Sequence, residues 1–265
     1  MKNLIYFILI VLLTCTGKLS YAEDINEDWV KKDSIFINQI KKAYATNPLL
    51  VEKFLEPWEN SREKLGFGYS MIEHSHGKGY VSINYTMIYK EQKLVSFVLK
   101  TSWPHDPRLT KRYSAFYKGL FEIENYEIKD LYFGYEDVSK PIGFKENELN
   151  VSSQIEYFMT PFSGIVYGDS GGIANEVLET RKLFNSIQNS ISEEVLFYLL
   201  KSINPATRLY AAEFYYLNKE RFTKKDVIEK LIDKNLKELP KITTMRGCIV
   251  QMVDAKKALK EMINK

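Results

Sequence analysis

The chain reads as an α+β protein, with a small antiparallel sheet and flanking helices followed by a C-terminal half of antiparallel helical hairpins. Three observations predict this. Tyr80 to Tyr89 and Leu94 to Thr101 are rich in β-branched and aromatic residues, the composition of strands. Glu91-Gln92-Lys93 makes a polar connector between them, short enough for an antiparallel hairpin. Beyond about residue 170 the apolar spacing becomes helical, so most helices follow the strands instead of alternating with them.

Ahead of the sheet, Ser34 to Tyr44 places Phe36, Ile37, Ile40 and Tyr44 at helical spacing. Asn47-Pro48 supplies a cap and a first-turn proline for a short helix that ends before Pro57. From Phe67 the period changes to that of strands. Leu131 to Glu136 and Ile155 to Met159 are weaker strand candidates. Leu109, Tyr113, Phe116 and Leu120 fall on one helical face, although a strand there remains open.

Past Gly168, the stretch from Ile173 to Asn185 reads as helical. Ser190-Ile191-Ser192-Glu193 has the spacing of a capping box. Asn204-Pro205 can cap and begin the next helix, which carries Leu209, Ala212, Tyr216 and Leu217. Thr223 and Asp226 suit a third start before Val227, Ile228, Leu231 and Ile232. Connections this short force neighbouring helices antiparallel.

Within residues 190–236, and above all from Leu199 to Lys219, the sequence resembles a HEAT-like helical hairpin. That resemblance implies a protein-contact surface. Because such arrays need about three repeats to stand alone, it also implies packing on the strand-bearing half. The expected organisation is a signal peptide at 1–22, an α+β domain at 23–168 and a helical domain at 169–265.

The leader has the order of a secretory signal. Lys2 carries the charge, Leu4 to Leu13 is an unbroken apolar run, and Ser20 and Ala22 place small side chains before a cut. The apolar run is shorter than the roughly twenty residues a bilayer span needs, so no transmembrane segment is expected in the mature chain. Leu12-Leu13-Thr14-Cys15 also resembles a lipobox. Thr14 stands where a lipobox carries Gly, Ala or Ser, so release after Ala22 is the expectation and a lipid anchor at Cys15 the alternative.

The chain carries 37 basic and 34 acidic residues; the leader removes Lys2 and Lys18 and no acid, leaving 35 − 34 = +1. Charges of both signs are interspersed, which speaks against a nucleic-acid partner. Cys248 would be the sole mature cysteine. A disulfide-free exported chain of this size points to a bacterial periplasmic or secreted protein.

Gly168-Asp169-Ser170-Gly171-Gly172 looks like the nucleophile motif of chymotrypsin-like serine proteases. The resemblance implies Ser170 as nucleophile, with a base among His74, His76 and His105. Ile173 stands where that family has proline, and no histidine has the family's Ala-Ala-His-Cys setting. The favoured reading is therefore that Asp169 or Ser170 caps a helix entered through a Gly-Gly turn. A variant makes the amides of Gly171 and Gly172 an anion site.

His74 and His76 alternate on a strand and so share a face, the spacing of a chelating pair; with Gly77-Lys78-Gly79 following, an exposed hairpin tip is favoured over a metal site. Trp103-Pro104-His105-Asp106-Pro107 is either a recognition loop or, preferably, a packed corner. Cys248 is read as a buried, inert thiol. No cofactor is expected. The functional expectation is an exported envelope protein working by non-catalytic contact with another protein, and the alternative is a serine hydrolase using Ser170.

Overall fold

The computed structural model describes residues 25–104, 106–124, 127–143 and 149–265. The signal at 1–22, the lipobox cysteine Cys15 and His105 lie outside the described residues.

Helix α1 (Glu27–Thr46) begins at Asn26, whose side chain accepts from the amides of Asp28 and Trp29. Its buried stripe is Val30, Asp33, Phe36, Ile37, Ile40 and Ala43. Asn47 then caps a 3-10 turn at Pro48–Val51, followed by the single turn α2 (Glu52–Leu55).

Strands β1 (Glu63–Gly66), β2 (Tyr69–Gly77), β3 (Ser82–Lys90) and β4 (Lys93–Ser102) form an antiparallel meander. Glu91 and Gln92 both take positive φ, 48° and 67°, which is what a two-residue hairpin requires to match strand twist. Helix α3 (Pro107–Tyr117) follows; it is started by Asp106, whose side chain accepts from Arg108 N at 2.8 Å. The helix reading of this stretch is therefore the observed one. After the two-residue strands β5 (Ile123–Glu124) and β6 (Glu127–Ile128), strand β7 (Leu131–Phe133) completes a five-stranded sheet of order β1-β2-β3-β4-β7. The expected strand at 131–136 ends early, because Gly134 turns the chain into α4 (Tyr135–Ser139).

One face of the sheet packs on α1, α2 and α3 through Ile83, Tyr85, Met87, Phe97 and Leu99 against Phe36, Ile40, Leu55, Tyr113 and Tyr117. Asp33 is fully buried there and accepts from Tyr80 N at 2.7 Å, Val81 N at 3.1 Å and the Tyr113 hydroxyl at 3.1 Å. Burial pushes its carboxyl above the ordinary carboxylate value, against the pull of those hydrogen bonds. The opposite face carries Leu65, Met71 and Ile88 against Val138, Ile165 and Ile203, a small cluster joining the sheet to the helices.

Residues 155–159 form part of helix α5 (Ser153–Met159) and not a strand: Ser152 caps it, and Ile155, Phe158 and Met159 point into the helical core. Helices α6 (Glu179–Ile187), α7 (Glu193–Leu200), α8 (Pro205–Leu217) and α9 (Lys225–Glu238) follow. Asn204 caps α8 through Ala206 N as its sequence predicts. The capping-box reading shifts by two residues, since Ser192 receives Val195 N. Glu193 instead reaches across to Thr223 N and Lys224 N, satisfying amides at the start of α9. Residues 205–215 of α8 are all buried, so this helix is the axis of the half. Arg208, inside it, donates to Ser202 O, Ile203 O and, at 2.6 Å, Leu65 O of β1.

The chain does not stay helical to its end. Strands β10 (Lys241–Arg246) and β11 (Ile249–Asp254) form a hairpin before the last helix, α10 (Ala255–Ile263).

Candidate interaction surface

The Gly168-Asp169-Ser170-Gly171-Gly172 string does not start a helix. Ser170–Gly171 is strand β8, paired with β9 (Glu176–Val177) around the loop 172–175, and α6 begins only at Glu179. Gly172 and Asn175 both have positive φ, 76° and 51°, conformations that glycine and asparagine tolerate best. A Cβ on Gly171 would run into the Met245 side chain of β10, so the glycine lets two hairpins touch. They are also bonded: Tyr167 N donates to Thr243 O at 2.9 Å and Gly172 N to Gly247 O at 2.7 Å. The result is a ribbon made of the β8–β9 and β10–β11 hairpins side by side.

A buried polar network holds its root. Arg181, in the first turn of α6, donates to both carboxylate oxygens of Glu213 on α8 at 2.8 Å each. It lies 3.2 Å from Asp169 Oδ1, and its Nε donates to Gly168 O. Its guanidinium carbon lies 4.5 Å from the centre of the Tyr210 ring. Tyr210 clamps the Gly168 peptide from both sides, accepting from its N–H at 3.1 Å and donating to its carbonyl at 2.7 Å. Tyr167 donates to Glu213 Oε2. Burial, followed by the Glu213 charge, pushes the Tyr167 phenol up, and burial does the same for Tyr210, so both remain donors across the physiological range. Lys265 closes on Asp169 from the solvent side.

Beyond this rigid root the ribbon is apolar and open. Ile173 is 97 % exposed, Ile249 67 %, Met252 57 % and Val250 55 %, with Val177 also exposed. These five are the exposed large apolar residues of residues 169–177 and 247–254, and they gather on two adjacent short hairpins. Gly247 takes φ +56° at the first central position of the β10–β11 turn, as a two-residue hairpin favours. Cys248 beside it is exposed, correcting the expectation of a buried thiol; the tip of a hairpin has no core to enter.

The other predicted residues fall as follows. The Ser170 hydroxyl donates to Asn175 Oδ1 at 2.8 Å, an amide oxygen that cannot take up its proton as a base. Of the two glycines in the anion reading, Gly172 donates its amide to Gly247 O at 2.7 Å, and Gly171 lies in β8, paired with Glu176 of β9. His74 and His76 do share a face of β2. The His74 ring lies 5.5 Å from Trp58 and the half-buried His76 ring 5.3 Å from Phe36. Burial, then Lys78, lowers the His76 pKa. Among the described residues no group of three or more His, Cys, Asp or Glu side chains gathers to hold a metal. Trp103 packs edge-on to Tyr117 at 4.8 Å, ahead of the α3 cap at Asp106, in a corner against the N-terminal core.

Sequence reasoning missed Arg181, Glu213 and the ribbon. Glu213 carried a signal, since Ala211, Ala212, Phe214 and Tyr215 surround it and a carboxylate in such a run needs a buried partner. Thr243-Thr244 and Ile249-Val250 around Gly247 was a hairpin cue of the usual kind. Comparison of the chain with protein-family models, with curated proteins and with solved structures gives no match.

Proposed function

We propose that the chain is an exported protein of the bacterial envelope that works by non-catalytic contact with another protein, and that the double-hairpin ribbon makes the contact. One observation carries this reading. Five exposed large apolar side chains, spread over both hairpins, stand on a backbone fixed by the buried Arg181–Glu213 pair. Apolar side chains left in water are costly, and pre-ordering their backbone lowers the entropy lost on association. Export rests on the leader's charge, apolar run and small residues; an N-terminus at Glu23 supports release after Ala22, and an acylated Cys15 replaces it with an anchor.

The test is a pull-down from envelope extract with the mature chain and with an Ile173→Ser/Val250→Ser/Met252→Ser variant. The expected result is a partner retained by the first and lost by the second, at an unchanged unfolding midpoint because the three side chains are exposed. Identical capture refutes the reading. So does labelling by a fluorophosphonate probe that disappears in Ser170→Ala, which would instead establish a serine hydrolase.

A further inference from the structure

The ribbon has one closed edge and one open edge. On the closed side, β10 is bonded to the segment 167–172 through Thr243 O and Gly247 O. On the other, β11 pairs with β10 alone among the described residues.

The hydrogen-bond phase tells which groups face outward. Ala255 N donates to Pro240 O at 2.9 Å, which makes 240 and 255 a bonded pair one step beyond Lys241↔Asp254. Bonded and non-bonded pairs alternate in an antiparallel ladder, so Thr243↔Met252 and Met245↔Val250 are non-bonded pairs. Thr243 O agrees, since it accepts from Tyr167 N on the side away from β11. The N–H and C=O groups of Val250 and Met252 therefore point out of the open edge, and their side chains, two residues apart, share one exposed face.

Charge distinguishes the possible occupants. Residues 241–265 hold six basic side chains and two acidic ones. Both acids are engaged: Asp254 caps α10 through Lys257 N, and Glu261 lies 3.9 Å from Lys257. Lys241, Arg246, Lys256 and Lys260 are exposed and have no ion pair among the described residues. A second copy pairing through β11 would bring two such basic segments together, and like charges disfavour it. A bilayer would bury the outward groups of Val250 and Met252 with nothing to bond them. An added strand satisfies both demands.

We propose that β11 is the docking edge for an extended segment of another protein, apolar at alternate positions and acidic at its flanks, which joins the ribbon as an additional strand. This rests on the contact reading above and gives it a mechanism: backbone hydrogen bonds at Val250 and Met252, apolar contact with their side chains, and steering by Lys241, Arg246, Lys256 and Lys260.

The probe is a labelled peptide, Asp-Asp-Val-Thr-Val-Thr-Val-Asp-Asp, followed by fluorescence anisotropy against the full chain. N-methylating the alternate residues that face β11 weakens binding by about thirtyfold, the worth of two ordinary hydrogen bonds. Added salt weakens it too, and a lysine-flanked peptide binds less tightly. Lys256→Glu/Lys260→Glu, two exposed changes, brings the segment's four basic and four acidic side chains into balance and removes the preference between the two flanks. Equal binding of the N-methylated peptide, or no saturable binding at about 1 mM, overturns the proposal. A concentration-dependent dimer lost in Val250→Lys overturns it in favour of a second copy. Sedimentation with phosphatidylglycerol vesicles, lost in the same variant, overturns it in favour of lipid. Should the peptide fail while the triple serine variant still loses its envelope partner, strand addition falls and the contact reading stands; should the variant lose nothing, both fall.

Discussion

Replacing Glu213 by alanine strips three donors of their acceptor at once: two guanidinium N–H groups of Arg181 and the Tyr167 hydroxyl, each at 2.8 Å. Arg181 is only 7 % exposed, so water cannot replace the lost carboxylate. What remains to it is Asp169 at 3.2 Å and the Gly168 carbonyl. Breaking a buried pair from one side costs about 3–5 kcal/mol, because a desolvated charge is left behind. With a urea slope of about 2 kcal/mol/M, the midpoint falls by about 2 M. Removing both charges together, as Arg181→Met/Glu213→Leu, leaves no unpaired charge and only the buried Tyr167 hydroxyl without its acceptor, so stability returns to within about 1–3 kcal/mol of the parent. Equilibrium urea denaturation of the four proteins in this cycle measures the coupling. Amide exchange adds a local reading, with Gly168 and Gly172 accelerating first in Glu213→Ala. A single substitution costing under about 1 kcal/mol, or a double variant equal to the sum of its parts, refutes the clamp as the source of the ribbon's rigidity.

Gly171→Ala places a methyl 3.1 Å from Met245 Cβ and closer still to its sulfur, so it costs about 1–3 kcal/mol of overpacking; a Met245→Ala background, which keeps only the 3.1 Å contact, relieves most of the penalty, as thermal melts of the set would record. Asp33 titrates above its ordinary value of 3.8 in the folded chain, so its contribution is complete below that value and is lost as pH rises through the folded one. Asp33→Asn should therefore flatten the fall of stability as pH rises above 3.8, and an unchanged slope in urea melts refutes the assignment. The Cys248 thiol is exposed, so a thiol reagent modifies it stoichiometrically without denaturant; a requirement for urea would place it in the interior.

Where one residue type dictated the backbone, the sequence could be read directly. Asn204-Pro205 starts α8, Asn47-Pro48 starts the turn after α1, and the branched and aromatic runs at 80–89 and 94–101 became β3 and β4. Readings failed where two physical demands compete within a short span. Ile155 to Met159 has a strand's composition, but Ser152 caps it and a neighbouring helical core takes up its apolar face. Gly171-Gly172 is compatible with a helix start or a hairpin, and only the Met245 side chain some seventy residues downstream decides between them. The ribbon was hidden for the same reason. Its strands are too short for periodicity to register, and its rigidity comes from an arginine and a glutamate thirty-two positions apart.

Helix α8 is covered along residues 205–215, and part of that cover is α10, whose Ala255, Ala258 and Leu259 belong to the same core. The order of synthesis then matters. The N-terminal sheet has all of its main core, from Val30 to Phe121, in hand early and can close first. The helical half cannot close until α10 has been made, since its axis lacks one wall until that helix arrives. A chain stopped just before Ala255 would leave a greasy flank on α8 and a ribbon without Lys265 to hold Asp169. Such a nascent chain is the species most exposed to aggregation and proteolysis, and the one a holding chaperone would most often meet.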